Sequence, residues 1–267
     1  MFRIGRRDLS LAVKDIWDAA RSIHVWPLLG WLEIKQRYRR SVLGPFWLTI
    51  STGVLIGAMG PLYSKLLNQE MSAYMAYLAI GFVVWSLMAG LMNDACTTFI
   101  SGEGYIKQLK LPLTTHVLRM VWKNLLIFAH NFVIVLVVII FFPPHMSWSL
   151  LFFPLGILMI AINGVWLGIL LGLLCARFRD IPIIISSIVQ VAFFLTPVLW
   201  KAGSLGRYGW AATWNPLHHF LEIVRQPLLG ENVSALSWVA VCFVTAAGVA
   251  VTLMMFSRFR RRIAYWV

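Results

Sequence analysis

Acidic residues are scarce in this chain. Asp and Glu supply 10 of 267 residues, and charged residues of every kind only 12%. A soluble domain carries about 25% charged residues. Hydrophobic residues make up 60% and the mean hydropathy is +0.79, a surplus too large to hide in one soluble core. These figures exclude a water-soluble enzyme and, equally, a disordered chain. Cysteine is sparse as well. Cys96, Cys175 and Cys242 each sit in apolar sequence, with no CxxC spacing. They read as small buried hydrophobes, not as a disulfide framework or a thiolate metal site. The GxxxxGK[ST], GxSxG and HExxH signatures are missing, so ATP binding through a phosphate loop is not expected of this chain. His218 and His219 are adjacent, and neighbouring side chains on a helix point apart, so no metal site is expected there. Asp94 is the only acid within an apolar run, which leaves a proton relay or a membrane enzyme without its groups.

What the chain does have is long apolar runs. A membrane span needs about 20 mainly apolar residues. Six segments qualify, at about 43–63, 73–97, 117–142, 149–175, 181–200 and 236–256. Backbone polar groups in lipid must be satisfied internally, and strand alternation is absent, so helices are expected. The expected fold is an all-α integral membrane protein. It has an N-terminal segment (1–42), a six-span body (43–256) and a basic tail (257–267). The first 42 residues are mixed or polar, without the pattern of a cleavable signal peptide.

The net charge of +13 is unevenly placed. Arg3, Arg6, Arg7, Lys14, Arg21, Lys35, Arg37, Arg39 and Arg40 precede the first span. Lys107, Lys110 and Arg119 follow the second, Arg177 and Arg179 follow the fourth, and Arg258, Arg260, Arg261 and Arg262 follow the sixth. Only Lys65, Lys201, Arg207 and Arg225 fall on the other side. The bias predicts that both termini are cytoplasmic, and it assigns the basic charge to a membrane surface, not to nucleic acid.

Residues 8–24 have helical periodicity. Leu9, Val13, Ile16, Trp17 and Ala20 share one face, and Lys14, Asp15, Asp18 and Arg21 another. An amphipathic helix lying in the membrane interface is expected, with packing on a partner as the alternative. Between the last two spans, Leu217, Phe220, Leu221, Val224 and Leu228 recur at helical spacing behind Pro216, with Pro227 disturbing the end. This helix (about 215–230) is expected on the outer leaflet or re-entrant.

Polar residues within the runs suggest function or packing. Span three carries His116, Arg119, Lys123, Asn124, His130 and Asn131 on one broad face, either a pathway wall or helix–helix glue. In span five, Ser186, Ser187, Gln190, Phe193, Phe194 and Pro197 fall within an arc of about 120°. Hydroxyls, an amide and rings together suit a sugar; packing against neighbouring helices is the competing reading. Gly53, Gly57 and Gly60, and Gly164, Gly168 and Gly172, permit close helix contacts.

Four stretches resemble the permease subunits of ABC-2-type exporters for cell-surface polysaccharides such as O-antigen, capsule and teichoic acid. They are EIKQRYRRSVLGPFW (33–47), IGFVVWSLMAGLMNDACTTFISGEGYIKQLKLPL (80–113), ARFRDIPIIISSIVQVAFFLTPVLW (176–200) and NPLHHFLEIVRQPLLG (215–230). The resemblance implies a homodimer working with two copies of a separate ABC ATPase, which would hold the ATP and Mg; this chain would carry no cofactor. It implies a coupling segment at about 98–116, with Glu103, Tyr105, Lys107 and Lys110, and a second contact at Arg179 and Asp180. It implies a glycan path between subunits, onto which Phe46, Trp47, Ser186, Ser187, Gln190, Phe193, Phe194 and Pro197 map. Arg37, Arg39 and Arg40 would meet the pyrophosphate of an undecaprenyl-diphosphate-linked polysaccharide, or simply anchor the chain by positive charge. The short Pro143–Pro144–His145 loop would add little to an external vestibule. The expected function is ATP-driven export of such a polysaccharide, O-antigen first. The alternatives are capsule or teichoic-acid export, or an exporter of a small amphiphile or drug.

Overall fold

The computed structural model describes residues 6–37, 39, 44, 46–109, 111–145, 147–203, 206 and 209–267. These residues form helices and connecting turns, without a strand among them. The helices are α1 (Arg6–Arg21), α2 (Trp26–Arg37), α3 (Phe46–Leu66), α4 (Met71–Thr97), α5 (Glu103–Gln108) and α6 (Thr114–Phe141). Then follow α7 (Phe153–Arg177), α8 (Ile181–Leu195), α9 (Trp210–Thr213), α10 (Pro216–Leu229), α11 (Ala235–Phe259) and α12 (Ile263–Trp266).

Among the described residues, five helices are long and apolar enough to cross a membrane: α3, α4, α6, α7 with its preceding 3-10 turn, and α11 with its C-terminal extension. The segment expected as the fifth of six spans is shorter. α8 has 15 residues, about 22 Å of helix against a hydrocarbon core of about 30 Å. It stops before Pro197, whose ring cannot continue a helix.

α4 is the hub. It packs against α3, α6, α7, α8 and α10, and 72% of its apolar window is buried. Glycine makes two of these contacts close. A Cβ on Gly164 would sit 3.0 Å from the Leu91 side chain, and one on Gly172 2.9 Å from the ring of Phe99. The expectation for this second stripe therefore holds. In the first stripe Gly60 likewise lets α3 meet the Met75 side chain of α4, whereas nothing lies within 4 Å of a Cβ on Gly57. Gly156 lets α7 meet α10, since a Cβ there would lie 2.6 Å from the Ile223 carbonyl oxygen. Gly156→Ala is expected to push α10 outward and cost about 1–3 kcal/mol, read as a lowered unfolding temperature of detergent-purified protein. An unchanged temperature would show that α10 moves freely.

α10 is delimited as its sequence suggests. The Asn215 side chain accepts from Leu217 N at 3.0 Å, Pro216 takes the first turn, and Gly230 closes the helix at φ 76°. Pro227 is accommodated inside the helix, which continues to Leu229. Instead of lying flat on a surface, α10 is wedged among α4, α7 and α11, with Leu221, Ile223 and Val224 fully buried.

Two sequence expectations need correction. Asp15 is not on a solvated face of α1; it is buried, because it holds the start of α6 and Arg260. Cys242 is exposed, since it lies on the outward side of α11. Leu9, Val13 and Trp17 remain exposed on α1, an apolar row unused by the fold.

Candidate functional site

Polar and charged side chains gather at two ends of the bundle. One end gathers α1, α5, the α7–α8 turn and α12. Asp15 Oδ1 accepts from Thr114 N (3.0 Å) and Thr114 Oγ1 (2.8 Å), and its Oδ2 accepts from Leu113 N (3.2 Å) and Arg260 Nε (3.0 Å). An anion thus caps the N-terminus of α6, where the backbone amides lack partners.

Just before that cap lies α5. Lys107 Nζ is 2.6 Å from Glu103 Oε1, with both side chains half exposed. The Lys107 hydrogen bond and charge, helped by Arg179, hold the Glu103 carboxyl below its ordinary range, so α5 presents an ionised pair at neutral pH. Tyr105 is exposed, its ring 6.4 Å from that of His116. Arg179 Nη2 donates to the Trp266 carbonyl at 3.2 Å, and the Arg177 guanidinium lies 5.2 Å from the Trp266 ring centre. Asp180 is exposed at the start of α8. Glu103, Tyr105, Lys107, Arg179 and Asp180 therefore share one accessible end. Lys110 and Arg40 lie outside the described residues, as does the side chain of Arg37; Arg39 is exposed.

The polar face of α6 is largely occupied by counter-charges. Lys123 Nζ sits 2.8 Å from Glu33 Oε1 of α2 and 2.9 Å from Asp94 Oδ2 of α4. Arg119 Nε is 3.6 Å from Glu33 Oε2, and its Nη2 donates to Ser101 Oγ at 3.3 Å. Asn124 Nδ2 donates to Asp94 Oδ2 at 2.9 Å. With 28 residues, α6 is about 42 Å long and exceeds a bilayer core by about 12 Å. Arg119 lies about 8 Å and Lys123 about 14 Å from the start of the helix. The cluster is helix–helix glue, and Glu33 was the member that periodicity did not reveal. Two cations on one helix face should have prompted a search for a nearby acid.

The residues mapped to a path do not form one surface within the chain. Ser186, Ser187, Gln190 and Phe194 are exposed on α8, and both hydroxyls donate back to the Ile183 carbonyl, at 2.9 and 3.0 Å. Phe193 turns inward, 5.7 Å from Trp85 and 6.1 Å from Phe82 of α4. Pro197 is buried. Phe46 and Trp47 are exposed on α3.

Beyond α8 the chain is held by side chains. Arg225 Nη1 donates to the Pro197 carbonyl at 2.6 Å, and Tyr77 Oη to the Pro197 and Trp200 carbonyls at 3.1 and 2.8 Å. Tyr74 Oη donates to Leu199 O at 2.7 Å, Trp200 Nε1 to Phe194 O at 3.1 Å, and Asn215 Nδ2 to Thr196 Oγ1 at 2.9 Å. Arg225 pairs with Glu222, and its guanidinium lies 3.9 Å from the Tyr77 ring centre. This clamp explains where α8 stops: carbonyls released by the broken helix find donors on α4 and α10. It also lies deep, because a Cβ on Gly81, about 15 Å along α4 from Met71, would be 3.4 Å from Arg225 Nη1.

Above the clamp, at the end opposite the termini, opens a cavity of about 660 Å³. Its walls come from the start of α4, the 142–145 turn, residues 201–203, α10 and residues 231–237. The Pro143–Pro144–His145 loop, expected to contribute little, forms part of this wall. His219 bonds Ser237 Oγ (3.1 Å) and the Thr213 carbonyl (2.8 Å), so it serves the wall. No single stretch of sequence carries this cavity, because its walls come from five separate segments.

Comparison with known proteins adds a consistent result. Two relatives from Klebsiella pneumoniae, both named O-antigen export system permease protein RfbA, are 24% identical over 87% of this chain and 90% of the relative, and 25% identical over 69% and 72%. A Myxococcus xanthus protein of the same name is 21% identical over 65% of this chain and 66% of its own length. The model of the ABC-2 type transporter family matches residues 25–229, a range running from α2 through α10 and taking in α5, α8 and the clamp; the chain belongs to the ABC-2 type transporter family.

Proposed function

We propose that this chain is the membrane subunit of an ATP-driven exporter carrying a lipid-linked polysaccharide, O-antigen in the first instance, across the bacterial inner membrane. One observation carries the reading: relatives named for O-antigen export align along most of the chain. The geometry supports it. α3 and α8 flank α4 and leave their apolar faces bare, with 11% of the α3 window buried and only Val189 buried on α8. A second copy would cover these faces and enclose Phe46, Trp47, Ser186, Ser187, Gln190 and Phe194. Hydroxyls that donate to their own backbone keep acceptor capacity outward, giving a sugar many weak contacts over which to slide. In this reading α8, about 22 Å of helix, makes a sixth crossing together with the turn at 196–200 that follows it, and α10 is re-entrant. Arg177, Arg179, Arg258, Arg260, Arg261 and Arg262 would then face the cytoplasm, as positive charge beside spans favours. There Arg39, with Arg37 and Arg40, would meet the undecaprenyl diphosphate.

Two copies of an ABC ATPase, holding ATP and Mg, would dock on Glu103, Tyr105, Lys107, Lys110, Arg179 and Asp180. Because α5 joins α4 to the capped start of α6, a push on α5 moves both helices as rigid rods. α4 would pass the motion to α8 through Trp85 and Phe193. Deleting the gene should leave lipid-linked glycan accumulating inside and the surface bare; normal surface glycan would end the proposal. Glu103→Lys with Tyr105→Ala is expected to lower glycan-stimulated ATP hydrolysis about tenfold, the loss of about 1.4 kcal/mol of docking. Unchanged export in that double variant would remove the coupling role from α5.

A further inference from the structure

We propose that the cavity above the clamp is a saccharide-binding site carried within each subunit, separate from the face of α8; the ligand class rests on the export reading above. At about 660 Å³ it falls inside the range of small-molecule sites, about 300–1,000 Å³, and could hold about 20 waters. Its lining selects among ligand classes. The carboxylates of Glu70, Glu222 and Glu231 face it, as do Arg225 and Lys201. Arg225 is already committed to Glu222, the Pro197 carbonyl and the Tyr77 ring. Lys201 Nζ lies 5.7 Å from the centre of the same ring. Glu222 and Arg225 neutralise each other, so a phosphate or sulfate entering here would meet two further carboxylates, Glu70 and Glu231, against the one ammonium of Lys201. An acyl chain would desolvate those same charges without replacing their hydrogen bonds.

A neutral polyol meets neither obstacle. Carboxylates accept from its hydroxyls with charge-assisted strength, and histidine, glutamine and serine can answer its remaining lone pairs. Glu70 is oriented for this by Ser72 Oγ, which donates to its Oε1 at 2.8 Å. The walls are also stiff. Pro143 and Pro144 restrict the backbone of one rim, and the His145 carbonyl beside them packs closely on Gly230 at the end of α10. A preformed site loses less entropy on binding. Position adds a consequence: Tyr77 and Arg225 both line the cavity and hold the end of α8, so a bound saccharide touches the residues that set the outer end of the proposed path.

The test is saturation-transfer difference NMR on the full chain in nanodiscs. The probes are mannotriose, maltotriose and triacetylchitotriose, with sucrose octasulfate as the anionic comparison. At least one neutral trisaccharide should bind, with a Kd of about 1 mM. Ala73→Trp, at an exposed position lining the cavity, should weaken that binding about tenfold, and Glu231→Gln about threefold. Phe243→Trp, on the outer side of α11, should leave it unchanged. The inference is overturned if no neutral trisaccharide binds, if only the sulfated sugar does, or if both cavity variants bind as well as the parent. It is overturned equally if Ser187→Trp abolishes a signal that the cavity variants leave intact. The two proposals fail separately. Absent binding with a gene deletion that still strips surface glycan removes only the cavity site; cavity binding with normal surface glycan after deletion removes only export.

Discussion

Arg225→Met is expected to destabilise the purified protein by about 3–5 kcal/mol, the loss that follows when one member of a buried ion pair is removed. Arg225 is 2% exposed and Glu222 6%. Without the guanidinium, the Glu222 carboxylate loses its paired cation and is left with His218 Nδ1, 3.7 Å away, and the cavity beside it. The Pro197 carbonyl would keep only the Tyr77 hydroxyl, which it shares with Trp200. The cost should therefore come mostly from the stranded acid. That origin can be isolated: Arg225→Met combined with Glu222→Gln removes the stranded charge and should recover a substantial part of the unfolding temperature. If the double variant unfolds no later than the single one, the damage lies in the lost carbonyl and ring contacts instead. Either way α8 should lose its fixed end, visible as faster hydrogen exchange across 196–200.

Much of this architecture can be read along the chain because a bilayer imposes a length scale on apolar runs. The runs at 73–97 and 236–256 correspond to helices at Met71–Thr97 and Ala235–Phe259, since nothing else satisfies their backbone. The exposed position of Glu103 and Lys107 was also legible, since an acid and a base four residues apart form a local pair. What could not be read depends on contacts between distant positions. Pro197 marks the end of α8 locally, but the donors that hold residues 197–200 come from Tyr74, Tyr77 and Arg225, and no local pattern announces those. Phe193 and Phe194 are neighbours on one expected face, yet one packs on Trp85 and the other is bare, because α4 covers only one side of α8. Glu33 finds its partners 86 and 90 positions away in sequence, on a helix against which its own segment packs closely through Gly30 and Trp26.

Asp15 follows the same logic, and its removal is the second large effect. Asp15→Ala takes an acceptor from two backbone amides, a threonine hydroxyl and an arginine at once. Loss of a cap costs about 1–2 kcal/mol and loss of a charge-assisted bond about 1.5–3 kcal/mol; the terms overlap, so a total of about 3 kcal/mol is expected. The local consequence is more telling than the total. The Leu113 and Thr114 amides should exchange markedly faster with solvent deuterium, and so should the α5 segment that they anchor. Asp15→Asn keeps an acceptor oxygen for the amides but loses the charge that holds Arg260. It should protect Leu113 and Thr114 partly while freeing the C-terminal turn. Exchange at 103–114 that stays unchanged in Asp15→Ala would mean that α1 only rests against α6. Faster exchange would make α1 part of the support beneath α5. In the exporter reading, force arriving at α5 reaches the spans only if that support is rigid, so the same variant should then uncouple ATP hydrolysis from transport without touching any surface where the ATPase would dock.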